Sequence, residues 1–133
     1  MQILILFVAT ALILLVLDLI GLRFIVRPVF ERHVGHLLVE PLRMVPAVLF
    51  YLGYVAGVIW FVSMPAFRQG DAASALINGA LIGLMAYGTY EFTNYATLRD
   101  WSFEQVAVDT LWGGLLTGFS AWAGVAITRA WYS

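Results

Sequence analysis

The chain has 133 residues, of which 62% are hydrophobic and 11% are charged, and its formal net charge is −1 at pH 7. A soluble domain is roughly half apolar, so this composition indicates a protein embedded in lipid, where about 20 apolar residues form one helical span. The slightly acidic charge excludes the basic face that nucleic-acid binding needs. The absence of cysteine and lysine excludes disulfides, thiolate metal sites and Schiff-base chemistry.

The first predicted span runs from Ile3 to Leu22 and is rich in leucine, isoleucine and valine. No basic region precedes it and no small-residue cleavage pattern follows it, so it is predicted to be retained rather than removed as a signal peptide. Asp18 lies near its end, and a carboxylate in hydrocarbon is costly unless it is paired, protonated or hydrated. Alternatively, Asp18 lies within one turn of the interface and simply reaches water.

Charged and apolar residues alternate at helical spacing between residues 21 and 44. This pattern predicts an amphipathic helix on the membrane surface, which starts near Pro28 and stops near Pro41. His33 and His36 are three residues apart, a spacing that can place two metal ligands on one helical face. No further histidine or cysteine completes such a set, so no metal site is predicted.

The rest of the chain contains three more predicted spans, at about 45–67, 72–97 and 103–131. Asp71 is a predicted N-cap of the third span, and Ser102 with Gln105 forms a predicted capping box for the fourth. The predicted fold is therefore all-α and integral to the membrane. It is a single four-helix transmembrane domain over residues 1–133, with an interfacial helix between the first two spans.

Three glycine pairs have the GxxxG spacing that lets membrane helices approach closely: Gly53 and Gly57, Gly79 and Gly83, and Gly114 and Gly118. Packing within the bundle is their default meaning. They could also dock a membrane partner or a second copy of the chain.

The arginines predict the orientation of the spans. Arg23, Arg27, Arg32 and Arg43 fall in the first connection and Arg99 in the third, whereas only Arg68 and Arg129 fall on the other side. Positive residues favour the cytoplasmic side. Both termini are therefore predicted to face outward, with the interfacial helix on the cytoplasmic leaflet.

Three carboxylates are predicted to share this leaflet. At about 1.5 Å per residue, Glu91 and Asp109 each lie roughly 9 Å inside the bilayer, and Asp18 lies slightly less deep. One interpretation is a hydrated anionic pocket, and the other is polar contacts that only hold helices together. The predicted ligand-binding residues are Asp18, Tyr90, Glu91, Asn94, Tyr95, Arg99, Asp109 and Trp112.

The run Tyr90–Leu98, followed by the run Asp109–Gly114, resembles the bacterial predicted-membrane-protein family called domain of unknown function 2177. The resemblance covers essentially the whole chain, including Asp18. It implies a small bacterial inner-membrane protein, and it implies no activity. For a multi-pass protein in that membrane, the arginine distribution predicts that both termini lie in the periplasm.

The residues leave three functions open. In the first, the polar pocket binds or moves a small cation, a proton or an amphipathic ligand. In the second, the chain is a non-enzymatic accessory or assembly subunit that docks a membrane partner or a lipid. In the third, Glu91 and Asp109 supply acid and base to a lipid-directed enzyme. The enzyme is disfavoured because the chain offers no activated nucleophile, metal-ligand set or nucleotide motif. No cofactor is indicated.

Overall fold

Four long helices, and no strands, make up the computed structural model, which describes residues 1–133. Each helix is long and apolar enough to cross a membrane, which confirms the predicted all-helical class with four spans. The helices are α1 (Gln2–Leu37), α2 (Met44–Gln69), α3 (Ala72–Thr97) and α4 (Phe103–Trp131).

A wide π turn precedes both prolines that lie in the interior of a helix, Pro28 and Pro65, whereas Pro46 lies in the first turn of α2. A proline has no N–H and its ring clashes with the carbonyl four residues earlier, so it disrupts a regular helix. In α1 the π turn Leu22–Val26 comes just before Pro28. In α2 the π turn Ile59–Ser63 comes just before Pro65. The wider turns displace the backbone groups that the proline rings would meet, so both helices continue.

The predicted start of a separate helix at Pro28 is therefore wrong, whereas the position of this segment at the membrane surface stays a prediction. The residues 27–37 continue α1 as one helix, and the chain becomes extended only at Leu38. We call residues 27–37 the α1 extension. Pro41 lies outside any helix, in the connection to α2.

The α1 extension packs onto the loop between α3 and α4. The rings of Phe30 and Trp101 meet edge to face with their centroids 5.4 Å apart, and Val34, Trp101 and Val106 form a small buried cluster. The Oε1 atom of Glu104 lies 2.9 Å from Nη2 of Arg32 and 2.9 Å from Nε2 of His33. Exposed ion pairs of this kind contribute little, so the apolar cluster carries most of the stability of this junction.

The pairing of α3 with α4 is the closest in the bundle, and glycines make it possible. A Cβ atom on Gly83 would lie 2.1 Å from the carbonyl oxygen of Gly113, and one on Gly118 would lie 2.8 Å from the carbonyl oxygen of Leu76. Gly79 and Gly114 also meet atoms of the facing helix. Two of the three GxxxG pairs are thus used inside the chain.

The helix α2 joins the bundle only along its second half. Val55, Val58 and Val62 are buried in the main core, whereas every residue from Met44 to Phe50 is exposed. Gly53 and Gly57 have no neighbouring atoms where a Cβ would point. The first half of α2 therefore stands away from the other helices and leaves a gap beside α1 and α3.

Side-chain caps start both α3 and α4 at the predicted residues. Asp71 accepts a hydrogen bond from the N–H of Ser74 at the start of α3. At the start of α4, Ser102 and Gln105 form a reciprocal capping box. These two predictions are confirmed.

We expect Ser102→Ala to lower the free energy of unfolding by about 1 kcal/mol, because it removes the acceptor for a helical N–H. Ser102→Gly is the matched control and should cost only a few tenths of a kcal/mol, since glycine is also a good N-cap. Unfolding in detergent, followed by circular dichroism, measures both. Equal stability of the alanine variant and the native protein would contradict the capping role.

Candidate functional site

Asp18 joins three helices through its two carboxylate oxygens. It accepts one hydrogen bond from the hydroxyl of Tyr51 on α2 and another, at 3.1 Å, from the indole N–H of Trp112 on α4. Gly21 makes the second bond possible, because a Cβ there would lie 2.1 Å from the Trp112 ring. The carboxylate, which is 3% exposed, is thus paired inside the bundle rather than hydrated at the interface.

The carboxyl groups of Glu91 on α3 and Asp109 on α4 form a pair between these two helices. Glu91 is fully buried, and its Oε1 atom accepts a hydrogen bond of 3.0 Å from the indole N–H of Trp101. Its Oε2 atom has no donor. The Asp109 carboxyl group lies beside that of Glu91 and is only 6% exposed. The two acids face each other without a basic partner.

A half-open cavity of about 470 Å³ lies where the first half of α2 stands away from α1 and α3. Asp18 and Asp109 are its acidic lining residues, and ten of its thirteen lining residues are hydrophobic. Phe30, Phe50 and the rings of three tyrosines contribute to its walls; the tyrosines are Tyr51, Tyr87 and Tyr90. An apolar chamber with an acidic region can hold a molecule that has both characters.

The remaining charged residue of the lining is Arg27 in the α1 extension. Its Nε atom lies 2.6 Å from Glu31 and its Nη2 atom lies 2.7 Å from Glu40. The guanidinium of Arg27 and the carboxylates of Glu31 and Glu40 together carry a formal charge of −1 at this side of the cavity.

The structure separates the predicted site residues into three groups. Asp18, Tyr90 and Asp109 line the cavity, while Trp112 and Glu91 lie behind it and contact Asp18 and Asp109 respectively. The others lie outside the lining: Asn94 is half-buried, Tyr95 is exposed and packs against Phe103, and Arg99 is exposed without an ion pair. Arg99 thus makes no salt bridge with Asp18, Glu91 or Asp109.

Sequence reasoning missed the aromatic walls and the contribution of α2. A tyrosine in an apolar span has the pattern of a packing residue, so the sequence does not predict that Tyr51 donates to Asp18. Tyr87 lies four residues before Glu91, one turn away on the same face of α3. Gly113 gives the Tyr87 ring its space, since a Cβ there would lie 2.2 Å from that ring. The four-residue spacing of Tyr87 and Glu91 and the glycine at position 113 are the sequence signals for this aromatic wall.

His33 and His36, which have the spacing of a metal pair, contact different carboxylates. His33 lies 2.9 Å from Glu104 and His36 lies 3.4 Å from Asp100. Their side chains therefore contact two separate places, since Glu104 lies in the first turn of α4 and Asp100 lies in the loop between α3 and α4.

Together, the fold and the cavity define a small membrane protein with four helical spans and a partly acidic chamber between them. The chain belongs to the family described as predicted membrane protein, domain of unknown function 2177, whose match covers residues 3–126. No curated protein and no solved structure matches the chain.

Proposed function

We propose that this protein binds one amphipathic small molecule in the cavity between α1, α2 and α3. The observation that carries the proposal is the cavity itself, whose apolar walls and two buried aspartates occur in the same chamber. Its volume of about 470 Å³ falls within the range of roughly 300–1,000 Å³ that small-molecule sites have. Packing alone gives no reason for a chamber of this size, because protein interiors are close-packed.

The lipid phase is the proposed source of this molecule. Phe50 and Tyr90 flank the cavity on α2 and α3 and are 56% and 53% exposed. In a membrane-spanning segment, such exposed apolar surface faces hydrocarbon. An apolar tail can therefore pass between α2 and α3 without crossing water, while its polar end turns toward Asp18 and Asp109.

The proposed location is the bacterial inner membrane, with both termini in the periplasm. Arg32 and the loop between α3 and α4 lie at the same end of the bundle, and five of the seven arginines belong to this end. Gly70 and Arg129 lie together at the opposite end. The positive-inside rule supports a cytoplasmic position for the arginine-rich end, and the α1 extension is then proposed to lie at the cytoplasmic headgroups.

Replacing Ala86 by tryptophan tests the proposal, because this half-buried residue lines the cavity and a large ring would fill it. The probes are three phenylhexyl compounds that end in a trimethylammonium, a tert-butyl or a sulfonate group. We expect Ala86→Trp to weaken saturable binding of at least one probe by about tenfold or more, which corresponds to about 1.4 kcal/mol. Equilibrium binding to protein in phosphatidylcholine nanodiscs measures this.

Met85→Trp is the matched control. Met85 precedes Ala86 on α3 and is 68% exposed, so a ring there faces lipid and leaves the cavity open. Binding should be unchanged in this variant. If no probe binds the native protein above nanodiscs that lack protein, or if Ala86→Trp binds as the native protein does, the proposal is wrong.

A second candidate function is an accessory subunit that docks a membrane partner or another copy of the chain. Gly53 and Gly57 support it, because both have open space beside the backbone and such a surface suits a close helix contact. Gly53→Leu should then remove a partner that copurifies from native membranes, whereas Gly35→Leu, also at an open glycine, should retain it. A native particle with no partner would contradict this alternative.

A further inference from the structure

We infer that the molecule bound in the cavity carries a cationic head group that Asp109 holds, and that its binding releases a proton shared by Asp109 and Glu91. This inference rests on the proposed function and names the class of ligand. One positive charge arrives and one leaves, so the site as a whole, the acid pair with whichever cation it holds, keeps a net charge of −1. The proton leaves to bulk water and the cation takes its position.

The first support is that Asp109 has an unused carboxyl group. Asp18 is satisfied by Tyr51 and Trp112, so its negative charge is already stabilised by two donors. Asp109 lines the cavity and is only 6% exposed; its polar neighbour inside the bundle is the Glu91 carboxyl group, which cannot donate a hydrogen bond while it is ionised. A buried carboxylate requires a partner, and the cavity is the direction from which a partner can come.

The second support is the neighbouring Glu91. Two ionised carboxyl groups side by side repel each other, and this repulsion is severe where water does not screen it. Glu91 keeps one oxygen without a donor, and Asp109 lies beside it. No arginine reaches either group. A proton held between the two acids removes the repulsion when the cavity holds no cation, and a bound cation replaces it.

The third support is the absence of a free positive charge for an anionic head group. Arg27 is the basic residue that lines the cavity, and Glu31 and Glu40 already bind its guanidinium. An anionic group would therefore meet negative charge both at Arg27 and its partners and at Asp18 and Asp109. A cationic group is attracted by the negative charge at both of these places.

The aromatic lining favours the same class of ligand. The faces of tyrosine and phenylalanine rings attract cations, most strongly where water is excluded. Phe50 and Tyr51 contribute from α2, and Tyr87 and Tyr90 contribute from α3. A tetrahedral or planar organic cation bearing an apolar chain fits these walls better than a small hydrated ion, which gains nothing from apolar surface.

Several titratable or charged groups face the acid pair or the chamber beside it. They are Asp18 and Arg27 on α1, Tyr51 on α2, and Tyr87 and Tyr90 on α3. Asp18 and Arg27 are each held by two partners. The released proton is therefore assigned to the pair Asp109 and Glu91.

The same three phenylhexyl probes test the inference, because they differ mainly in head-group charge. In native protein the trimethylammonium probe should bind about tenfold or more tightly than its neutral tert-butyl isostere. Asp109→Asn should abolish this preference, so that the trimethylammonium and tert-butyl probes bind with equal affinity, and circular dichroism shows whether the variant is folded. If Asp109→Asn binds no probe, Asp109→Glu decides: a retained cation preference supports the inference and a lost one contradicts it.

Calorimetry in buffers of different ionisation enthalpy measures the proton. Native protein should release about one proton per bound cation, the stoichiometry of a pair that shares one proton. Glu91→Gln should release none, since glutamine can donate to Asp109 without holding an exchangeable charge. Equal binding of all three probes, or cation binding without proton release, overturns the inference and leaves the proposed function standing. Absence of binding by every probe overturns the proposed function instead.

Discussion

Gly83→Ala should destabilise the bundle by about 3 kcal/mol, at the upper end of the usual cost of overpacking. A methyl group at this position would lie 2.1 Å from the carbonyl oxygen of Gly113 and 2.8 Å from its carbonyl carbon. Both atoms belong to the backbone of α4, so no side-chain rotation relieves the clash and α3 must move away. The midpoint of detergent-induced unfolding measures the loss.

Gly53→Ala is the control for this experiment. It makes the same chemical change in another membrane helix, at a position with no atom within 4 Å of the new methyl group. Alanine is the better helix former by about 1 kcal/mol, so this variant should be as stable as the native protein or slightly more stable. If the two variants lose stability equally, the close approach of α3 and α4 is not what Gly83 provides.

Removing both donors to Asp18, in the double variant Tyr51→Phe and Trp112→Phe, should destabilise the protein by about 3–5 kcal/mol. Each change deletes one hydrogen bond and preserves most of an aromatic ring. The large effect arises because the carboxylate is then left in the bundle without a partner, and the cost of an unpaired charge exceeds the value of the bonds themselves.

Adding Asp18→Leu to that double variant should recover much of the lost stability, because no polar group then remains unpaired. The single change Asp18→Leu should be less favourable in the native background, where it leaves the Tyr51 hydroxyl and the Trp112 N–H without an acceptor. Unfolding of the four proteins forms a mutant cycle. Additive effects in this cycle would show that the three side chains do not act as a unit.

The four spans could be predicted from the sequence because length and hydropathy alone decide whether a helix can cross a membrane. The caps at Asp71 and Ser102 could be predicted for a similar reason, since each depends on residues only three positions apart. The end of the first helix could not. Pro28 is a strong local stop signal, and it is overridden by the π turn before it and by packing of Phe30 and Val34 on Trp101.

The arrangement of the candidate site depends on rotations of helices that hydropathy does not encode. Asp18, Glu91 and Asp109 could be assigned to one end of the bundle from their depth. Depth does not tell which acid meets which donor, and here Asp18 takes Trp112 while Glu91 takes Trp101. Arg99 is a predicted site residue that the structure leaves outside the cavity lining. It lies past the end of α3, where its guanidinium remains exposed.

The partners of Asp18 also bear on how the chain assembles during synthesis. Tyr51 lies 33 residues later in the sequence and Trp112 lies 94 residues later. While the later helices are still being synthesised, the first helix carries an acid inside the bilayer whose hydrogen-bond donors are not yet present. A chain that lacks its fourth helix is therefore left with an incompletely bonded acid in its first one, because the indole of Trp112 is missing.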